Sequence, residues 1–208
     1  MKRTLLAIMV AGICAAPSLA QAASPYVSAN VGLGFPSDST ISAGGISFDN
    51  AISYKTGVPF GAAIGMRGDQ YRVEAAFSYQ SSDVDRYSVL GLSATPAAGT
   101  KVSITSYMVN AYYDYTMKDS SITPYVMGGL GGATINPNGG DFTGSSSKSV
   151  FAWQLGAGIG FKASENVVVD LGYRYLKPSS YTVSDAAIGN VDLSAATSNI
   201  LLGVRYNF

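Results

Sequence analysis

Four arginines and three carboxylates are the side chains of this sequence best placed to act together: Arg67, Arg72, Arg174 and Arg205 with Glu74, Asp114 and Asp170. Each falls on the polar row of a segment in which apolar and polar residues alternate, so a sheet closed on itself would send all of them to its interior, with Gln154 and Asn199. Charges in such a space must pair or incur a large desolvation penalty. Two readings of the set therefore stand, an interlocked salt-bridge plug and a narrow polar pore or gate with water between the pairs.

Other chemistry is poorly supplied. The sequence has no histidine, so a Ser-His-Asp arrangement cannot be built. A zinc site would lack its usual ligands, because the single cysteine, Cys14, lies in the first segment of the chain. Asp83 and Asp85 have the spacing of an acid and base pair, but they sit at a strand-loop junction and read as solvated carboxylates. The glycine runs Gly128-Gly129-Leu130-Gly131-Gly132 and Gly156 to Gly160 are not followed by the Lys-Ser/Thr of a phosphate-cradling loop. They read as thin wall over which tyrosine rings can lie. The sequence thus predicts no catalytic residues, no cofactor and no metal, and a non-enzymatic protein.

The elements that must position the charges begin with an export signal. Residues 1–22 show a cationic start at Lys2 and Arg3, an apolar stretch from Leu5 to Ala16 and a small-residue exit at Ala20-Gln21-Ala22, the order of a cleaved signal peptide. The apolar stretch is shorter than the roughly 20 residues of a spanning helix. Cys14 could be read as a lipidated cysteine, but Ile13 stands where that cleavage wants a small residue. The expected domains are a signal peptide over 1–22 and a barrel over 23–208. Without Lys2 and Arg3 the 13 basic and 13 acidic residues become a net charge of two negative, which indicates no nucleic-acid partner.

Period-two alternation recurs eight times after the signal. It runs over Tyr26 to Phe35, Val58 to Arg67, Tyr71 to Gln80, Tyr107 to Tyr115, Ile122 to Thr134, Phe151 to Phe161, Val167 to Leu176 and Asn199 to Phe208, the fifth being Gly-rich and weakest. Aromatics at the ends of the apolar rows, with Tyr71, Tyr79, Tyr115 and Trp153 foremost, fit interfacial anchors. The connections alternate as well. Short links lie at Gly68 to Gln70, Met117 to Ser121 and Lys162 to Asn166; long polar ones lie at Pro36 to Lys55, Ser81 to Lys101, Ile135 to Lys148 and Lys177 to Ser198. With both termini in the periplasm, every long loop is extracellular and every short turn periplasmic. The expected fold is all-β, an eight-stranded antiparallel up-and-down transmembrane barrel in the outer-membrane lipid of a Gram-negative envelope. Ten strands would result if Ile46 to Tyr54 or Tyr181 to Leu193 added a hairpin, in the wall or above the membrane.

Stretches such as Gly61-Ala62-Ala63-Ile64-Gly65-Met66 with Arg72-Val73-Glu74, Asn110-Ala111-Tyr112-Tyr113-Asp114, Thr123-Pro124-Tyr125-Val126 and Gly156-Ala157-Gly158-Ile159 resemble the opacity-like and Msp4-like outer-membrane surface antigens. Val204-Arg205-Tyr206-Asn207-Phe208 looks like the C-terminal signal of that class, which implies that Val204, Tyr206 and Phe208 are read by the barrel-assembly machinery. The resemblance implies a surface antigen, and the polar loops suggest an adhesin that meets an extracellular ligand or host surface. Passive loops on an envelope-structural protein are the blander reading. The competing class is a small porin-like channel for polar or apolar solutes.

Overall fold

The structure, a computed structural model, describes residues 23–37, 39–43, 46–89, 92–118, 120–139, 147–185, 189–194 and 196–208. The expected signal peptide, with Cys14, lies outside them. Thirteen strands occur among the described residues: β1 (Ser24–Pro36), β2 (Ser39–Ala43), β3 (Ile46–Tyr54), β4 (Phe60–Arg67), β5 (Tyr71–Val89), β6 (Leu92–Ala94), β7 (Lys101–Asp114), β8 (Ile122–Asn138), β9 (Lys148–Lys162), β10 (Val167–Pro178), β11 (Tyr181–Asp185), β12 (Gly189–Ser194) and β13 (Thr197–Asn207).

Eight of them close a ring in the order β1-β4-β5-β7-β8-β9-β10-β13, every neighbour antiparallel, with the first and last sealed from Tyr26↔Asn207 to Pro36↔Thr197. Hydrocarbon offers no partner to a backbone N–H or C=O, so closure avoids several kcal/mol per orphaned group. The rows separate as the alternation requires. On β13, Ile200, Leu202, Val204 and Tyr206 are exposed to lipid while Asn199, Leu201, Arg205 and Asn207 are buried. On β9 the outward row from Phe151 to Phe161 covers about 33 Å of strand, or about 25 Å of height once tilted, which matches the apolar band of an outer-membrane barrel.

The weakly alternating fifth segment is a full strand, β8, paired along its length with β7 and β9. Its inward glycines, Gly129 and Gly131, reflect crowding inside. A Cβ at Gly129 would stand 2.1 Å from Asn110 Oδ1, and one at Gly65 on β4 would meet the Tyr26 ring at 2.6 Å.

The expected loop boundaries need correction. β5 continues to Val89, β7 begins at Lys101, β8 runs to Asn138 and β9 begins at Lys148, so much of Ser81 to Lys101 and the start of Ile135 to Lys148 is strand. Above the membrane the outward face meets water. The ladder goes on there without the lipid-facing apolar row by which a strand is recognised. Ile46–Tyr54 and Tyr181 to Leu193 also contain strands, but these lie outside the ring. They join an extracellular sheet in the order β11-β12-β2-β3-β5, with β6 paired to the far end of β5. The wall count is eight, not ten. In the chain β11 and β12 lie between β10 and β13, and β2 and β3 between β1 and β4; no pairing joins β9 to β11 among the described residues. The ring is thus closed where lipid surrounds it, and among the described residues the collar sheet ends at β11, where water can satisfy the edge.

Candidate functional site in the lumen

The periplasmic end of the lumen is the end of the short turns and of both Ser24 and Phe208. There β5 and β7 place Arg72 opposite Tyr112 in register and set Asp114 within reach. The Arg72 guanidinium donates from Nε and Nη2 to both oxygens of Asp114, the shortest contacts being 2.8 Å, with both residues buried. This bidentate geometry is the strong form of the pair. The guanidinium also lies 4.1 Å from the Tyr112 ring centroid and 5.1 Å from that of Tyr125. A second pair joins Arg205 on β13 to Asp170 on β10, with Nε and Nη2 each 3.2 Å from a carboxylate oxygen.

Glu74 departs from a simple pairing of cations with anions. It makes no ion pair with an arginine among the described residues; its oxygens accept from Tyr26 Oη (2.8 Å), Tyr112 Oη (2.6 Å) and Asn110 Nδ2 (2.9 Å). Three donors around a buried carboxylate can replace a counter-ion, because each charge-assisted bond is worth about 1.5–3 kcal/mol. Gln154 Nε2 then donates to Asn110 Oδ1, so Glu74, Asn110 and Gln154 form one chain of bonds across the sheet. Tyr26, Tyr112, Tyr125 and Asn110 belong to this cluster although their chemistry alone does not announce it. Their signal is parity, since each lies on an inward row.

Two cations remain. Arg174 on β10 makes no ion pair or side-chain hydrogen bond with a described residue and lines two small cavities, of about 50 Å³ beside the charged cluster and about 20 Å³ above it. Arg67 on β4 faces the periplasmic mouth, also without an ion pair among the described residues, and its Nε is buried without a partner.

Further out, the inward rows change character. Met108, Ala133, Ala152 and Leu176 form a buried apolar cluster, with Ile104 and Val150 packed on it. Beside it, Gln80, Thr197 and Asn199 close the β5 and β13 side through Gln80 Nε2 to Thr197 Oγ1 (3.2 Å) and Thr197 Oγ1 to Asn199 Oδ1 (3.2 Å). The lumen is filled at two levels by different chemistry.

Of the expected anchors, Tyr71 and Tyr115 are exposed at the periplasmic rim, Tyr71 lying 5.4 Å from Tyr113. Tyr79 and Trp153 stand at the extracellular rim beside Phe60 (5.4 Å) and Tyr175 (5.8 Å). Val204, Tyr206 and Phe208 share the outward face of the closing strand, with Tyr206 and Phe208 5.1 Å apart. Asp83 and Asp85 do not form a carboxylate pair; they face Lys101 (3.5 Å) and Lys55 (3.8 Å) separately, in solvent.

Comparison with known proteins agrees with this geometry. The profile of the outer membrane protein beta-barrel domain family matches residues 5–208. The outer membrane protein PagN of Salmonella typhimurium is 30% identical over 123 residues, which cover 52% of this chain and 51% of that protein. The chain therefore spans about half the length of the curated relative it matches. The crystal structure of Neisserial surface protein A is similar at a TM-score of 0.58 and 20% identity, over 90% of this chain and 100% of that one.

Proposed function

Because this chain belongs to the outer membrane protein beta-barrel domain family and resides in the outer membrane as a closed eight-stranded barrel, we propose that it is a non-enzymatic surface protein whose working part is the extracellular collar. In this reading it acts as a surface antigen or adhesin that meets an extracellular ligand or host surface, and the filled lumen serves as its foundation. The observation that carries the reading is the contrast between a lumen closed at two levels and strands that continue past the membrane into a second sheet. A rigid scaffold that presents loops is where binding usually resides. Val204, Tyr206 and Phe208, aligned on the closing strand, are the residues we assign to recognition by the barrel-assembly machinery, and residues 1–22 are assigned as the cleaved signal.

The test has two arms. The chain from Ala23 onward, folded into planar bilayers, is expected to be silent in single-channel recordings. Cells displaying it are expected to adhere to host surfaces or extracellular matrix, and to lose that adherence when residues 37–55 and 179–196 are replaced by short Gly-containing turns that leave the barrel folded. Equal adherence by the trimmed barrel would refute the collar as the working part. One observation favours a second reading, a narrow channel: Arg174, without an ion pair among the described residues, lines two small cavities. Steady wild-type conductance in discrete steps would establish that reading instead.

A further inference from the structure

At the extracellular rim of the barrel, Lys177 has no acidic partner among the described residues. It is exposed on the outward row of β10, two positions beyond Tyr175, and its cross-strand partner on β9 is Trp153. Residues directly opposite in an antiparallel pair hold their Cβ atoms about 5 Å apart, so the ammonium stem and the indole rise from one spot on the wall. The Tyr175 ring lies 5.8 Å from that of Trp153. The Lys177 ammonium, the Trp153 indole N–H and the Tyr175 hydroxyl make no hydrogen bond or ion pair with a described residue. Nor does an acidic residue stand on the outward rows of β8, β9, β10 or β13; Asp170, the one acid in these strands, faces inward to Arg205. Across the barrel wall on β5 and β7 the rim is different, for there Lys101 meets Asp83 at 3.5 Å.

The level of these three groups decides what they meet. Below them lie the exposed Leu155, Tyr173 and Leu171 of the lipid-facing rows, and just above them the β9–β10 pairing ends at Pro178↔Ala152. The donors therefore stand where acyl chains give way to headgroups, the level at which aromatic girdles lie. Hydrocarbon below lowers the local dielectric, so a charge-assisted bond is stronger there than on a surface open to water on all sides. A phosphomonoester carries three terminal oxygens for three donors, whereas a carboxylate carries two. We propose that Lys177, Trp153 and Tyr175 form a binding site for the terminal phosphate of an outer-leaflet lipid. Lys177 supplies the charge, the indole N–H and the tyrosine hydroxyl donate to the remaining oxygens, and the acyl chains run down the wall along Leu155 and Tyr173. The site lies below the collar and does not depend on it, so its failure would leave the adhesin reading untouched.

Trp153 is the only tryptophan of the chain, so its fluorescence reports on this site alone. The chain from Ala23, folded in micelles of an uncharged maltoside detergent, is titrated with dodecyl phosphate and, separately, with laurate, which has the same chain length and a carboxylate head. Both heads are ionised at about pH 8, where the titrations are run. Dodecyl phosphate is expected to shift the emission saturably, and laurate to bind about tenfold more weakly, the equivalent of one hydrogen bond. Lys177→Gln is expected to weaken dodecyl phosphate binding by about tenfold or more, the loss of one charged hydrogen bond. Lys101→Gln, which removes a rim cation already paired, is expected to leave binding unchanged. Inorganic phosphate is expected to leave the emission where it is, because it has no chain to lie along the wall. The proposal is overturned by the absence of a saturable shift, by laurate binding as tightly as dodecyl phosphate, by equal losses in the two lysine variants, or by inorganic phosphate saturating the site in the same concentration range. The wild-type titrations decide this even if a variant fails to fold.

Discussion

The periplasmic and extracellular halves of the lumen are lined by the same strands and the same parity, yet they are filled in opposite ways. Below, Arg72, Asp114, Arg205, Asp170 and Glu74 are held by bidentate pairs and tyrosine hydroxyls; above, Met108, Ala133, Ala152 and Leu176 simply pack. The apolar half gains free energy by leaving water, roughly in proportion to area. The charged half must first repay the desolvation of every ion, and its net contribution to stability can be near zero even though each member depends on the others. One half therefore supplies stability, and the other supplies geometry that tolerates no partial loss.

That contrast is broken most severely by removing one partner below. Asp114→Ala leaves Arg72 buried against two aromatic rings with no anion, and should destabilise the folded barrel by about 3–5 kcal/mol in urea unfolding from lipid vesicles. Replacing both partners, Arg72→Met with Asp114→Leu, should recover most of that loss; a double variant as unstable as Asp114→Ala would mean that the pair itself stabilises the fold. In the upper half, Leu176→Ala should cost about 2–3 kcal/mol, the lower part of the range for a buried leucine, because Ile104 and Val150 are only partly buried and can relax into the space. Tyr26→Phe removes one of three donors to Glu74 and should cost about 1.5 kcal/mol, with the remaining bonds from Tyr112 and Asn110 holding the carboxylate in place.

The same contrast decides what could be read from sequence. Lipid imposes an apolar outward row, so the eight wall strands could be found by alternation, and the inward parity of Arg72, Glu74, Asp114, Asp170 and Arg205 came with them. Parity cannot assign partners. Glu74 binds two tyrosines and an asparagine instead of an arginine because cross-strand neighbours, set by the barrel's stagger, decide what lies within reach. The apolar tier escaped notice because its members, Met108, Ala133, Ala152 and Leu176, come one from each of the four consecutive strands β7, β8, β9 and β10 and meet only when those strands pair side by side in the closed ring. The collar was hidden for the opposite reason. In β2, β3 and the far part of β5, Ser, Thr and Asp interrupt the period-two alternation, and such strands look like loops.

The smallest expected effect completes the comparison by holding the chemistry fixed and changing only the surroundings. Asp83 and Asp114 are both aspartates beside a cation, on neighbouring strands of one sheet. Asp83 meets Lys101 at 3.5 Å with both side chains about half exposed, and an exposed pair of this kind is worth at most a few tenths of a kcal/mol. Asp83→Asn should accordingly shift the unfolding midpoint by no more than experimental scatter, and added salt should not change the difference from wild type. Asp114→Asn keeps the shape and some hydrogen bonding but leaves the Arg72 charge uncompensated, so its loss should persist in high salt, since buried pairs are little screened. If the two asparagine variants behaved alike, the water-filled interior expected of a channel would have to extend to Asp114, and the division of the lumen into a sealed charged half and a packed apolar half would fail.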